Sequence, residues 1–101
     1  MGIWEVQTYT VLRDKEETHD DLIKKVGEII DKMGKKYLYF DKLHGPWNHK
    51  VLVITHENFA DLEKFETDWF ADEELSALAD VWLSCIDYES YRQTFWQEHP
   101  L

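Results

Sequence analysis

Cysteine is almost missing from this chain. Cys85 stands alone, so no internal disulfide can form, and a reducing cytoplasm is the expected setting. Basic residues are scarce as well. Eleven Lys and Arg against 21 Asp and Glu give a formal charge of −10, a balance that repels phosphate backbones and anionic bilayers, so neither nucleic acid nor membrane is expected as a partner. No apolar run reaches membrane-spanning length, and the start MGIWEV carries neither a signal peptide nor, with Val6 where Ser or Thr is required, a myristoylation signal. Prolines and glycines are few, at two and four, and no linker, repeat or low-complexity tract interrupts the sequence. There is no phosphate loop, no Gly-rich dinucleotide turn and no Ser-His-Asp set, so no cofactor is expected.

What the sequence has in quantity is apolar surface: 44% hydrophobic residues and 15% aromatic ones, in a chain that is also 32% charged. Its 101 residues suit one domain, 1–101, able to bury about two thirds of the surface its unfolded form exposes.

IWEVQTYTVL, residues 3 to 12, is rich in β-branched and aromatic residues and reads as a first strand. From about Thr18, the spacing of Leu22, Ile23, Val26, Ile29, Ile30 and Met33 predicts an amphipathic helix. Thr18 or Asp20 is placed to cap it and Gly34 to end it in the left-handed conformation. Residues 36 to 44 and 50 to 57 read as two strands joined by the turn residues GPWN. Asn58 can cap a helix carrying Phe59, Leu62, Phe65 and Trp69, and Asp72 restarts helical periodicity through Leu75, Leu78, Trp82 and Ile86 after a bend near residues 70 to 73. Residues 87 to 96 read as a fourth strand.

The order βαββαβ predicts the ferredoxin-like α+β fold, a four-stranded antiparallel sheet with its helices on one face. A sheet with one wet face should alternate apolar with polar residues. Here Tyr37 and Tyr39 oppose Leu38 and Phe40, Val51 and Val53 oppose Leu52 and Ile54, and Trp4 and Val6 oppose Ile3, Tyr9 and Val11. Both faces are apolar, so the face without helices needs a cover, and a second subunit is the simplest.

These residues resemble the dimeric α/β-barrel superfamily and, within it, the NIPSNAP-like proteins. IWEVQTYTVL is similar to that family's first strand, with its aromatic-Glu-apolar-polar-Thr-Tyr-Thr pattern, and GPWNHKVLVITHENFADLEKFETDWFADEELSAL resembles its hairpin, apolar third strand, Asp-Leu helix start and acidic bend. The resemblance implies a homodimer packed sheet against sheet, with a cavity between sheet and helices that often holds a small ligand. It does not imply one reaction, because the superfamily spans cofactor-independent monooxygenases, haem-degrading enzymes, isomerases, dehydratases and sensing modules. Two departures stand out. His56 aligns with the third-strand histidine of NIPSNAP-like chains only across a gap, and residues 58 to 86 lack the helix-borne histidine of haem degraders.

HGPWNH, residues 44 to 49, is the stretch most like a metal site, but His44 and His49 are too few ligands, so a hairpin turn without metal is expected, with Trp47 folded onto an apolar surface. His56 can serve as a general base or orient a ligand, or can be a partly exposed strand-end histidine bonded to a nearby loop. Glu5, Gln7 and Tyr9 share a face of strand one, and Glu89, Tyr91 and Gln93 share a face of strand four. With those strands adjacent at the sheet centre, the six form a polar strip that either binds a ligand or satisfies itself across the dimer. The eight acids among residues 57 to 74, against Lys64 alone, read as a solvated helix face. Cys85, beside Trp82, Leu83 and Ile86, reads as a buried small hydrophobe.

From the resemblance together with the polar positions, Gln7, Tyr9, His56 and Tyr91 are the expected ligand contacts, the ligand being small and apolar or aromatic. Whether the protein is an enzyme stays open. The alternatives are a cofactor-independent monooxygenase or isomerase acting on a small aromatic substrate, and a non-catalytic structural dimer whose cavity is filled by Trp4, Trp69, Trp82, Tyr88 and Phe95.

Overall fold

The computed structural model describes residues 2–45 and 48–100. Strand β1 (Ile3–Val11) leads through a 3-10 turn (Arg13–Lys15) into α1 (Glu16–Lys32); β2 (Tyr37–Asp41) and β3 (His49–His56) follow, then α2 (Phe59–Ala71), α3 (Glu73–Cys85) and β4 (Ile86–Gln97). The strands form one antiparallel sheet in the order β2-β3-β1-β4. This is the α+β, ferredoxin-like architecture expected from the sequence, with the second helix divided. No helix among the described residues is long and apolar enough to cross a membrane.

The helix ends follow local chemistry. Asn58 accepts from the Asp61 amide at 2.8 Å, and Asp72 accepts from the Leu75 amide at 2.9 Å, so Asp72 both ends α2 and caps α3. Gly34, at φ +76°, closes α1 as the left-handed residue of a Schellman motif: its amide donates to the Asp31 carbonyl and that of Lys35 to the Ile30 carbonyl. At its other end α1 corrects the expectation. It starts at Glu16, with neither Thr18 nor Asp20 as cap, because the 3-10 turn, anchored by the Lys15 amide on the Leu12 carbonyl, already supplies its first turn.

Strand β2 stops at Asp41, short of the expected residue 44. The chain bends from Leu43 to Gly45, whose φ of +92° suits a turn, and pairing ends with Lys50 opposite Asp41. Pro46 and Trp47 lie outside the described residues, and with them the expected seat of Trp47.

One sheet face packs on the helices. Leu22, Val26, Ile29 and Ile30 of α1 meet Leu52 and Ile54 of β3, Phe65 of α2 and Leu75 of α3. Tyr9, Val11, Cys85 and Ile86 form a second, smaller cluster. Ile54 is fully buried, and Ile54→Ala should lower the unfolding free energy in a urea titration by about 2–5 kcal/mol. A loss under 1 kcal/mol would mean that this core is not packed as described.

The opposite face carries no helix. On it Trp4, Leu38, Phe40 and Trp96 are between 47 and 62% exposed.

Candidate functional site

The helices do not close fully on the sheet. Between them lies a cavity of about 500 Å³, a size suited to a small organic ligand. Its walls are apolar: Leu22, Ile23 and Val26 from α1, Phe65, Trp69 and Phe70 from α2, Leu75, Leu78, Ala79 and Trp82 from α3, and Leu52 from β3. Its floor is polar and comes from β1 and β4, as Glu5, Gln7, Tyr9, Tyr91 and Gln93; Glu66 of α2 also faces it.

Glu5 organises that floor. Gln7 sits two residues along β1 on the same side of the pleat, and Gln93 pairs with Gln7 across the β1–β4 ladder. Both amides donate to Glu5 Oε2, at 2.7 Å from Gln7 and 2.9 Å from Gln93. The other oxygen, Oε1, lies 3.0 Å from His56 Nε2, because β3 places His56 opposite Ile3 and so diagonal to Glu5. Three N–H groups therefore converge on a carboxylate whose residue is only 3% exposed. The buried His56 Nδ1 has no partner, so a ring proton is best placed on Nε2, donating to Glu5.

A second polar group borders the cavity. The Tyr9 hydroxyl is 2.9 Å from His19 Nε2, and the Tyr39 hydroxyl lies 3.4 Å from His19 Nδ1. A neutral imidazole donates at one nitrogen and accepts at the other, so the two phenols play opposite roles towards it. Burial pushes the Tyr9 phenol up to about 12 and the Tyr39 phenol up as well, and it lowers His19 to about 4. Tyr91 is raised to about 12, by burial first and then by the charge of Glu5. At neutral pH all three phenols are uncharged. Trp82 stands edge-on to both Tyr9 and Tyr91, with ring centroids 5.7 and 5.2 Å away, and fixes their orientation.

By sequence, no family model and no curated protein matches the chain. Solved structures do. A NIPSNAP family protein from Agrobacterium tumefaciens superposes with a TM-score of 0.81 at 16% identity, over 97% of this chain and 86% of that one. An uncharacterized NIPSNAP domain protein from Burkholderia xenovorans gives 0.79 at 14% identity, over 96 and 94%. A conserved protein from Methanosarcina mazei gives 0.77 at 14% identity, over 98 and 94%.

This chain has the NIPSNAP fold. At such low identity the likeness extends to architecture and not to activity, and another of the Agrobacterium NIPSNAP proteins is itself of unknown function.

Within this NIPSNAP-like fold, Gln7, Tyr9 and Tyr91 reach the cavity wall. His56 does not; it lies behind Glu5, its ring tilted against Phe65 at 5.1 Å between ring centroids. Nor is it the partly exposed strand end foreseen above, since it is 2% exposed and its partner is a carboxylate on a neighbouring strand. The polar strip is also rearranged. β4 is an edge strand and not central, and its ladder with β1 shifts register between Thr8 and Thr10, where Ser90 Oγ accepts the Thr10 amide at 2.8 Å. That irregularity leaves Glu89 exposed and outside the strip. Of the remaining members Glu5, Gln7 and Gln93 bond to one another within the subunit, and Tyr9 bonds to His19. Of the aromatics able to plug the space, Trp69 and Trp82 line it, while Trp4, Tyr88 and Phe95 are exposed.

At the hairpin, His49 Nδ1 is 3.2 Å from Thr10 Oγ1 and His44 is exposed; among the described residues no three His, Cys, Asp or Glu side chains gather as a metal site requires. The residue sequence reasoning missed is His19. Its signal was present, for His19, Leu22, Ile23 and Val26 follow the i, i+3, i+4, i+7 spacing of a buried helix stripe.

Proposed function

We propose that this is a homodimeric α/β-barrel protein of a reducing, cytoplasmic compartment that binds a small apolar or aromatic ligand between sheet and helices. The observation that carries ligand binding is the cavity of about 500 Å³, with apolar walls and a convergent polar floor of Glu5, Gln7, Tyr9, Tyr91 and Gln93. The homodimer rests on the uncovered sheet face and its exposed Trp4, Leu38, Phe40 and Trp96. The compartment rests on the unpaired Cys85.

A catalytic reading, a cofactor-independent monooxygenase or isomerase acting on a small aromatic, is favoured by one observation: the Tyr9–His19 pair at the cavity wall. There the Tyr9 phenol reaches the cavity and can pass a proton between a bound hydroxyl and the buried His19 imidazole behind it.

A screen of quinols, phenols and indoles tests both. A ligand at a hundred times its Kd should stabilise the protein by about 2.7 kcal/mol, read as a rise in Tm. Catalysis would add oxygen consumption or product formation. If no small aromatic shifts the melting temperature at millimolar concentration, ligand binding is to be abandoned for a structural dimer.

A further inference from the structure

The charged side chains that line the cavity are of one sign. Glu5 and Glu66 line it, and among the described residues lining it there is no Lys, Arg or His. The chain around it is strongly acidic, at −10. An anionic ligand would therefore lose its hydration, meet two carboxylates and find no cation to pair with.

Glu5 adds a more specific argument. Burying a carboxylate is costly, and an apolar residue at this position of β1 would continue the wall. An ionised carboxylate offers about four acceptor sites. Gln7, Gln93 and His56 engage three of them and hold the group in one orientation, which leaves a fourth for a ligand in the cavity that the residue lines. The walls then offer aromatic rings, which attract cations: Trp69, Trp82 and Tyr91, with indole the strongest for this purpose, while Phe65 already has the Lys35 ammonium 5.9 Å from its ring centroid. The phenols Tyr9 and Tyr91 have no charge of their own at neutral pH to add to the selection.

Resting on the ligand-binding reading of the same cavity, we infer that its ligand is an organic cation: a small hydrophobic amine whose ammonium group bonds to Glu5, with Glu66 adding to the attraction, and whose apolar body lies against Trp69 and Trp82. Depth and wall chemistry set the size of the apolar body; the carboxylates set the sign of the head group.

Three probes that share one ring and differ in charge decide it: 2-phenylethylamine, 2-phenylethanol and phenylacetate, titrated by calorimetry into the full chain at pH 7 and low salt. The amine should bind at least tenfold more tightly than the alcohol, and phenylacetate should give no heat of binding. Glu66→Gln should weaken the amine several-fold while leaving the alcohol unchanged. Glu5→Gln, which keeps the shape of the side chain, should weaken the amine tenfold or more; if that variant does not fold by circular dichroism, the probe ranking and Glu66→Gln decide alone. Equal affinity for alcohol and amine, or binding of phenylacetate, overturns the inference and leaves ligand binding intact. An amine insensitive to Glu66→Gln and to a folded Glu5→Gln overturns it too. If none of the three binds, the inference fails, and the wider aromatic screen separately decides whether the cavity holds any ligand.

Discussion

Lowering the pH from 7 to 4 is expected to cost this fold roughly 3 kcal/mol through His19 alone, since each unit of pKa displacement is worth about 1.4 kcal/mol. His19, on the buried face of α1, is fully buried, and burial lowers it from the ordinary 6.5 to about 4. Its surroundings divide: Asp20 and Asp41 favour the charged ring, Lys50 opposes it, and the phenols of Tyr9 and Tyr39 are neutral partners that add no compensating charge. Desolvation is the largest influence.

The sign follows from proton counting. In the unfolded chain His19 takes up its proton near 6.5, whereas the folded protein does not until about 4. Between those values the unfolded state binds more protons, so stability is complete above about 6.5, falls as pH is lowered through the window, and levels off below about 4. Urea titrations at half-unit intervals measure that slope. His19→Gln, which can still bond to a phenol but does not titrate, should start less stable and lose less on acidification. Identical slopes in the two proteins would show that His19 is not held neutral by burial.

The strands were legible because alternation by two survives in the sequence whatever the tertiary context. Ile3, Tyr9 and Val11 opposite Trp4 and Val6 already divides β1 into its two faces, and the structure buries the first three against helices. The caps Asn58 and Asp72 and the stop at Gly34 were readable for the same reason: each is a local side-chain or backbone preference. What escaped was set across strands. Nothing near His56 in sequence says that it lies diagonal to Glu5, since that depends on the register Ile3 opposite His56. The loss of Glu89 from the polar strip depends on an irregularity in one ladder, which a strict two-residue period cannot represent. His19 was overlooked because a polar residue on an apolar helix stripe looks like an interruption until Tyr9 and Tyr39 are seen to receive it.

Replacing Leu38 and Phe40 together with lysine should halve the particle mass without unfolding the chain. Both side chains lie on the helix-free face of β2, about half exposed, so neither supports the core formed by Ile54, Leu52 and α1. In the proposed dimer they would be covered by the second copy, along with Trp4 and Trp96 across the sheet. A face-to-face contact of ordinary size buries about 800 Å² per partner. Losing two large apolar contacts from such a patch costs about 2 kcal/mol or more each where they are hot spots, and burying two unpaired ammonium groups adds to it. Together that weakens association by about a thousandfold or more, taking a nanomolar dimer into the micromolar range. Sedimentation velocity with fluorescence detection at about 0.05 to 0.1 micromolar, between those two constants, should show a dimer for the natural sequence and mostly monomer for the double variant, while far-ultraviolet circular dichroism stays the same. A natural sequence that sediments as a monomer throughout would remove the homodimer, and the exposed Trp4, Leu38, Phe40 and Trp96 would then need a different cover.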